Sequence, residues 1–229
     1  MNAFGHQDPT APARCIAVIA DLIRSRRYSP AERASIQQRI NTVLEQLNEQ
    51  YRESVLARFL ITAGDEFQGL LSNASVLADM IWDIEADLRQ ADFRVGVGCG
   101  FLSTPLQDRT VDMDGPVWYA ARDAVGLAKS SRRQGGVFLG FGQGEDAVLN
   151  GFARLLRELR GQWTARQFEV IQLLRQGKSQ VEVAEVMGVS KQAVSKHAKS
   201  TGWDAYVEGE RAWKQQLGSF DFTPLWNRR

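Results

Sequence analysis

The sequence predicts an α+β domain over residues 14–160 followed by a small all-α domain over residues 162–229. Three patterns carry that prediction. Apolar runs and amphipathic stretches succeed one another up to Phe101 in the order strand, helix, strand, strand, helix, strand. A Gly64-Asp65 turn joins the two middle strands as a hairpin. Beyond residue 162 short helical patterns take over, with Gly188-Val189-Ser190 as a tight turn between two of them.

The elements follow in order. Cys15 to Ala20 is a continuous apolar run, as a central strand covered on both faces should be; it ends at Asp21. Ser29-Pro30-Ala31-Glu32 opens a helix with an N-cap, a first-turn proline and a glutamate three residues on. Ile36, Ile40, Leu44 and Leu47 supply its apolar stripe to about Gln50. Residues 58–63 and 67–71 form the hairpin strands. A helix spans about residues 75–90, with Leu77, Ile81, Ile84 and Leu88 inward. Residues 93–101 read as a strand in which Gly96, Gly98 and Gly100 share one face, open either to close helix packing or to a bound base. A helix over about 117–129, a short strand at Val137-Phe138-Leu139 and a helix over about 145–160 complete the domain, with Gly161-Gln162 as its boundary.

Composition narrows the class. With 28 Lys and Arg against 27 Asp and Glu, the 229-residue chain has no overall pull toward nucleic acid or membrane, so any charged surface must be local. Cys15 and Cys99 sit in apolar strands and read as buried free thiols, and no Cys/His spacing suggests zinc. The polar start and the lack of a membrane-length apolar run make a cytoplasmic protein the expectation.

The chemistry gathers at Thr62-Ala63-Gly64-Asp65-Glu66-Phe67. An acid at a hairpin tip is ordinary taken alone. The strand order, however, is that of a ferredoxin-like sheet, which sets the first strand beside the second hairpin strand. Asp21 and Asp65 are then expected to face each other at one edge and to share Mg²⁺ or Mn²⁺, which takes one or two carboxylates plus phosphate oxygens and water. Glu66 is a further ligand or base. Arg24, Ser25, Arg26 and Arg27 follow Asp21 and suit a phosphate, although alone they would read as a solvated loop.

These segments carry a family resemblance. Residues 15–27, Gly64-Asp65-Glu66-Phe67-Gln68, residues 94–100 and Asp114-Gly115-Pro116 with Ala120-Ala121-Arg122 together look like the SatD family. More distantly they resemble the palm domain of class III nucleotidyl cyclases and GGDEF diguanylate cyclases. The resemblance implies metal positions at Asp21 and Asp65 and a triphosphate contact from Arg122, so Asp21, Asp65, Glu66 and Arg122 are the catalytic candidates. The departures are Trp118, where cyclases carry an Asn four residues before that arginine, and Ala63-Gly64, where diguanylate cyclases have two glycines. A missing transition-state donor typically costs about 2.7–4 kcal/mol, which leaves binding better supported than turnover.

The C-terminal pattern resembles the helix-turn-helix of bacterial regulators. Thr164 caps a first helix ending at Gly177; residues 180–187 and 191–199 are the pair around the turn, with Ala184, Gly188 and Val194 at the structural positions. Lys191, Gln192, Ser195, Lys196 and Lys199 form the presumed DNA-reading face. Residues 162–202 hold six basic and three acidic side chains. His197 reads as a helix residue rather than a ligand. Trp203, Tyr206, Trp213, Leu217, Phe220, Phe222, Leu225 and Trp226 are expected to close the core of this small module. Three functions remain open: a homodimeric DNA-binding regulator sensing a nucleotide or related phosphorylated ligand, an active nucleotidyl cyclase or transferase using ATP or GTP, and a non-catalytic scaffold.

Overall fold

The computed structural model describes residues 13–23, 27–88, 92–130 and 135–227. Strand β1 (Arg14–Leu22) lies at the centre of a five-stranded sheet, in the order β2-β3-β1-β4-β5. It pairs antiparallel with β3 (Glu66–Leu71) on one side and β4 (Phe93–Phe101) on the other. Its run of six buried residues, Cys15 to Ala20, reflects cover on both faces. The hairpin partner β2 (Val55–Ala63) forms one edge. The other edge, β5 (Gly135–Leu139), runs parallel to β4.

Helix α1 (Pro30–Gln50) starts with the capping box expected at Ser29 and Glu32, a device that contributes ~1 kcal/mol. Asn48 fastens it to β2, accepting from the Phe59 amide and donating to the Phe59 carbonyl. Helix α2 (Leu77–Asp87) is shorter than its sequence pattern and buries six residues, among them Trp82. Helix α3 (Pro116–Ser130) settles the question of Gly96, Gly98 and Gly100. A Cβ on Gly96 would stand 2.5 Å from the Ala121 carbonyl and one on Gly100 2.8 Å from the Val117 nitrogen. These absent side chains let α3 lie directly on β4; they are a helix seat, and no room remains there for a base. Cys15 and Cys99 are free and buried. Register places them on opposite faces, because Cys15 is opposite Gly100 and Cys99 opposite Ile16. Burial pushes their thiols up to about 12 and about 11 respectively, so neither is a nucleophile at neutral pH.

After α4 (Gln143–Gly161) come α5 (Ala165–Arg175), α6 (Gln180–Met187) and α7 (Lys191–Ser200). Val170, Val183, Ala184 and Val194 form a small core of their own. The aromatic tail does not join it, contrary to expectation. In α8 (Trp203–Gly218) and α9 (Thr223–Trp226), Tyr206, Trp213, Leu217 and Trp226 enter the main core with the sheet. The reason is packing. Helix α8 runs along α4 and α2, and Trp213 sets its edge on Phe138 while Phe220 does so on Phe141. Beyond α8, Asp221 bridges to Asn73, and the Trp226 indole donates to the Arg14 carbonyl at 2.8 Å.

A buried polar network joins the two parts. Arg160 pairs with Glu85 at 2.8 Å and donates to the Tyr206 hydroxyl at 2.8 Å. Arg175 of α5 lies over the Trp82 ring and pairs with Asp79 at 2.7 Å and Glu210 at 2.9 Å. Phe168 stacks on Trp82 with ring centres 5.1 Å apart. Helix α5 therefore belongs to both cores. No described helix is long and apolar enough to cross a membrane.

Candidate functional site

The register of β1 decides what meets at the sheet edge. Asp21 lies opposite Glu66 on β3 and opposite Arg94 on β4. Residues directly opposite share a face, so Glu66, Asp21 and Arg94 form one row, with Gln68, Ile19 and Gly96 as the next. This is the face that α3 covers. Two side chains of α3, seven residues apart, reach the row. The Arg122 Nη1 donates to both Glu66 oxygens at 2.7 and 2.8 Å, and its Nη2 donates to the Gln68 side-chain Oε1 at 3.4 Å. The Lys129 Nζ and the Arg94 Nη1 both reach the Asp21 Oδ2, at 3.0 and 3.5 Å. The two carboxylates are 16% exposed, whereas Arg122 and Lys129 are about half exposed. Each cation keeps a side open to solvent, which screens the pair it makes.

Asp65 is placed differently. It occupies the turn with Gly64, whose φ of 61° suits glycine. Together with Leu22, Arg33, Ile36, Gln37 and Ile40 it borders a largely apolar cleft of about 270 Å³ against α1. The acid that shares a sheet face with Asp21 is thus Glu66 rather than Asp65. Arg27 is exposed, while Arg24, Ser25 and Arg26 lie outside the described residues. Trp118, one turn before Arg122, is buried with its indole nitrogen unpartnered.

Lys129 and Arg94 escaped the sequence reading. The signal for Lys129 was available, since it stands two helical turns after Arg122 on the same face. Among the described residues no group of three or more His, Cys, Asp or Glu could hold a metal ion. The donor set Asp21 and Glu66 fits a Mg²⁺ that completes its shell with phosphate oxygens and water, and does not fit an all-protein cage.

The second surface is on α7. Ser179 caps α6 and Ser190 caps α7, and between them Gly188 adopts the left-handed conformation, φ 62°, that makes the turn tight. Val194 and Ala198 point into the core. On the opposite side Gln192, Ser195, Lys196 and Lys199 line a shallow open groove, and Lys191 is exposed at the helix start. The spacing of three, four and seven residues puts the groove residues on one face. Arg166 is diverted from this surface: it pairs with Glu169 and donates to the Met187 carbonyl at 2.8 Å. His197 is half-buried, and its carbonyl accepts from Thr201 and Ser200.

Among solved structures the chain is similar to the dimeric guanylyl cyclase domain of a rhodopsin–cyclase fusion protein from the aquatic fungus Blastocladiella emersonii. The identity is 12%, over 56% of this chain and 79% of that one, with a TM-score of 0.41. It is also similar to a GGDEF domain from Pseudomonas aeruginosa, at 14% identity over 57% and 84% of the chains and a TM-score of 0.39. A regulator of polyketide synthase expression from Bifidobacterium adolescentis aligns over 96% of this chain and 83% of its own, at 14% identity and a TM-score of 0.26. No curated protein matches by sequence. The model of one family matches residues 15–217, and the chain belongs to that family, the SatD family.

Proposed function

We propose that this SatD-family protein is a DNA-binding regulator that acts as a homodimer, with α7 as the recognition helix and the Asp21–Glu66 edge as a sensor for a metal-bound nucleotide or related phosphorylated ligand. The observation that carries the reading is the α7 surface: three lysines, a glutamine and a serine on the outer side of a capped helix-turn-helix. Lysines there supply phosphate and guanine contacts and the glutamine an adenine contact.

At the sheet edge, ligand binding is a change of partners. Arg122, Lys129 and Arg94 now neutralise Glu66 and Asp21. A phosphorylated ligand would draw the cations to its oxygens and free the carboxylates for Mg²⁺ or Mn²⁺. Binding without turnover is favoured, because a buried tryptophan stands where the cyclases carry a transition-state donor.

Two measurements test this. DNA selected from a random pool should bind with strong salt dependence by fluorescence anisotropy. Lys196→Ala and Lys199→Ala should each weaken binding and lower the salt slope by about one; salt-independent or absent binding rejects the reading. For the sensor, GTP or ATP with Mn²⁺ should raise the melting temperature, and Arg122→Ala with Lys129→Ala should abolish the rise. No shift with either nucleotide rejects that half alone.

A further inference from the structure

Where α1, α2 and α5 converge, the helices do not close on one another. They leave a cleft of about 320 Å³, at the lower end of what a small-molecule site needs. Val43, Leu47 and Ala86 give it apolar sides, and exposed Gln46, Gln50 and Gln176 mark its mouth. Each helix contributes its last turns, so three negative dipole ends gather here. Two polar side chains in the wall are only half used. The Arg175 Nη2 donates to Asp79 and Glu210, whereas Nη1 has no partner among the described residues and Nε is buried without one. A guanidinium has several N–H donors, and unmatched ones away from water are costly. The Asp83 Oδ2 accepts from Tyr51 at 2.6 Å and from Gln50 at 3.1 Å, whereas Oδ1 accepts from none of the described residues. Burial raises the Asp83 carboxyl and Arg175 lowers it only in part. The two charges therefore feel each other without touching, since Arg175 makes its ion pairs with Asp79 and Glu210.

We propose that this cleft binds a free α-amino acid, with its ammonium on the Asp83 Oδ1 and its carboxylate on the Arg175 Nη1. Such a ligand carries opposite charges on one carbon, which is what two neighbouring groups of opposite sign, each with an unmet atom, call for. A lone cation would leave the guanidinium donors unmatched, and a lone anion would leave the Asp83 oxygen so. The helix ends favour the ammonium. Asp87, one turn beyond Asp83, also lines the cleft, and Arg39 donates to its carbonyl. Asp87 and the glutamine amides are left for the ligand's side chain. Asp83 belongs to α2 and Arg175 to α5, so the ligand would tie the sheet domain to the helix that leads into the helix-turn-helix.

This input is separate from the sheet-edge sensor and from DNA binding, and its failure leaves both standing. The full chain is screened by differential scanning fluorimetry against the standard L-amino acids, and the strongest hit is measured by isothermal titration calorimetry. At least one should raise the melting temperature. Its N-acetyl and α-carboxamide derivatives, each lacking one charge, should bind roughly tenfold more weakly or worse. Asp83→Asn should lose a similar factor while still melting cooperatively. Ala86→Leu, which fills part of the cleft, should lose binding with both charged groups in place. Arg122→Ala with Lys129→Ala should bind as the wild type does. The proposal is overturned by a screen in which no amino acid shifts the melting temperature, by a charge-blocked derivative, Asp83→Asn or Ala86→Leu that binds at full strength, or by loss of binding in the sheet-edge variant.

Discussion

Replacing Gly98 by alanine tests how the helix seat supports the site. A Cβ there would overlap the Ala121 nitrogen and the Val117 carbonyl oxygen, both backbone atoms of α3. No rotamer relieves such a clash, so α3 must lift by about an ångström from a close-packed sheet, and overpacking of this kind costs ~1–3 kcal/mol. For a chain of this size each kcal/mol moves the melting midpoint by about 2–4 °C, giving an expected fall of roughly 2–12 °C. The lift also carries Arg122 and Lys129 away from Glu66 and Asp21, so nucleotide-dependent stabilisation should weaken as well. Gly126→Ala is the matched control. It lies on the same helix with nothing within 4 Å of the added carbon, and alanine should stabilise it by about 1 kcal/mol. Differential scanning fluorimetry reads both variants. If Gly98→Ala melts with the wild type, α3 does not rest on β4 as described and the argument for the glycines fails.

Asp83 and Trp213 give independent checks. Burial raises the Asp83 carboxyl above its ordinary value, opposed only in part by its bond from the Tyr51 hydroxyl at 2.6 Å. Its folded pKa exceeds its unfolded one, so stability falls as pH rises between the two values; Asp83→Asn should remove that slope and stabilise the chain at neutral pH. Asp79, one turn earlier, behaves oppositely: burial would raise it, but Lys214 and Arg175 together hold it low. Its contribution is therefore lost as pH falls through the carboxylate range, and urea titrations at several pH values separate the two. Trp213→Ala, in the segment the sequence assigned to the small module, should cost about 3–5 kcal/mol. It should also speed amide exchange in β5, where Phe138 loses one of its two ring partners. Unchanged exchange in β5 would place the tail's energetics elsewhere.

The sheet was readable because its causes are local. Apolar runs, capping at Ser29 and Thr164, and the hairpin turn each act within a few residues, and strand order follows from the element sequence. The site was half readable. That β1 and the hairpin converge is topology, but whether Asp65 or Glu66 stands across from Asp21 depends on a one-residue register that flips the face of every side chain. Lys129 and Arg94 matter only once α3 lies on β4. The aromatic tail misled because Tyr206 and Trp213 fit any apolar core; only the path of α8 across α4 and α2 decides which one receives them.

Helix α5 commits Phe168 and Ile171 to the main core and Val170 to the small one, with Arg175 clamped between Asp79 and Glu210. There is no hinge in such a joint. The α6–α7 head is an outrigger whose bearing is fixed when the protein folds, so any displacement of the sheet that reached it would tilt the whole arm.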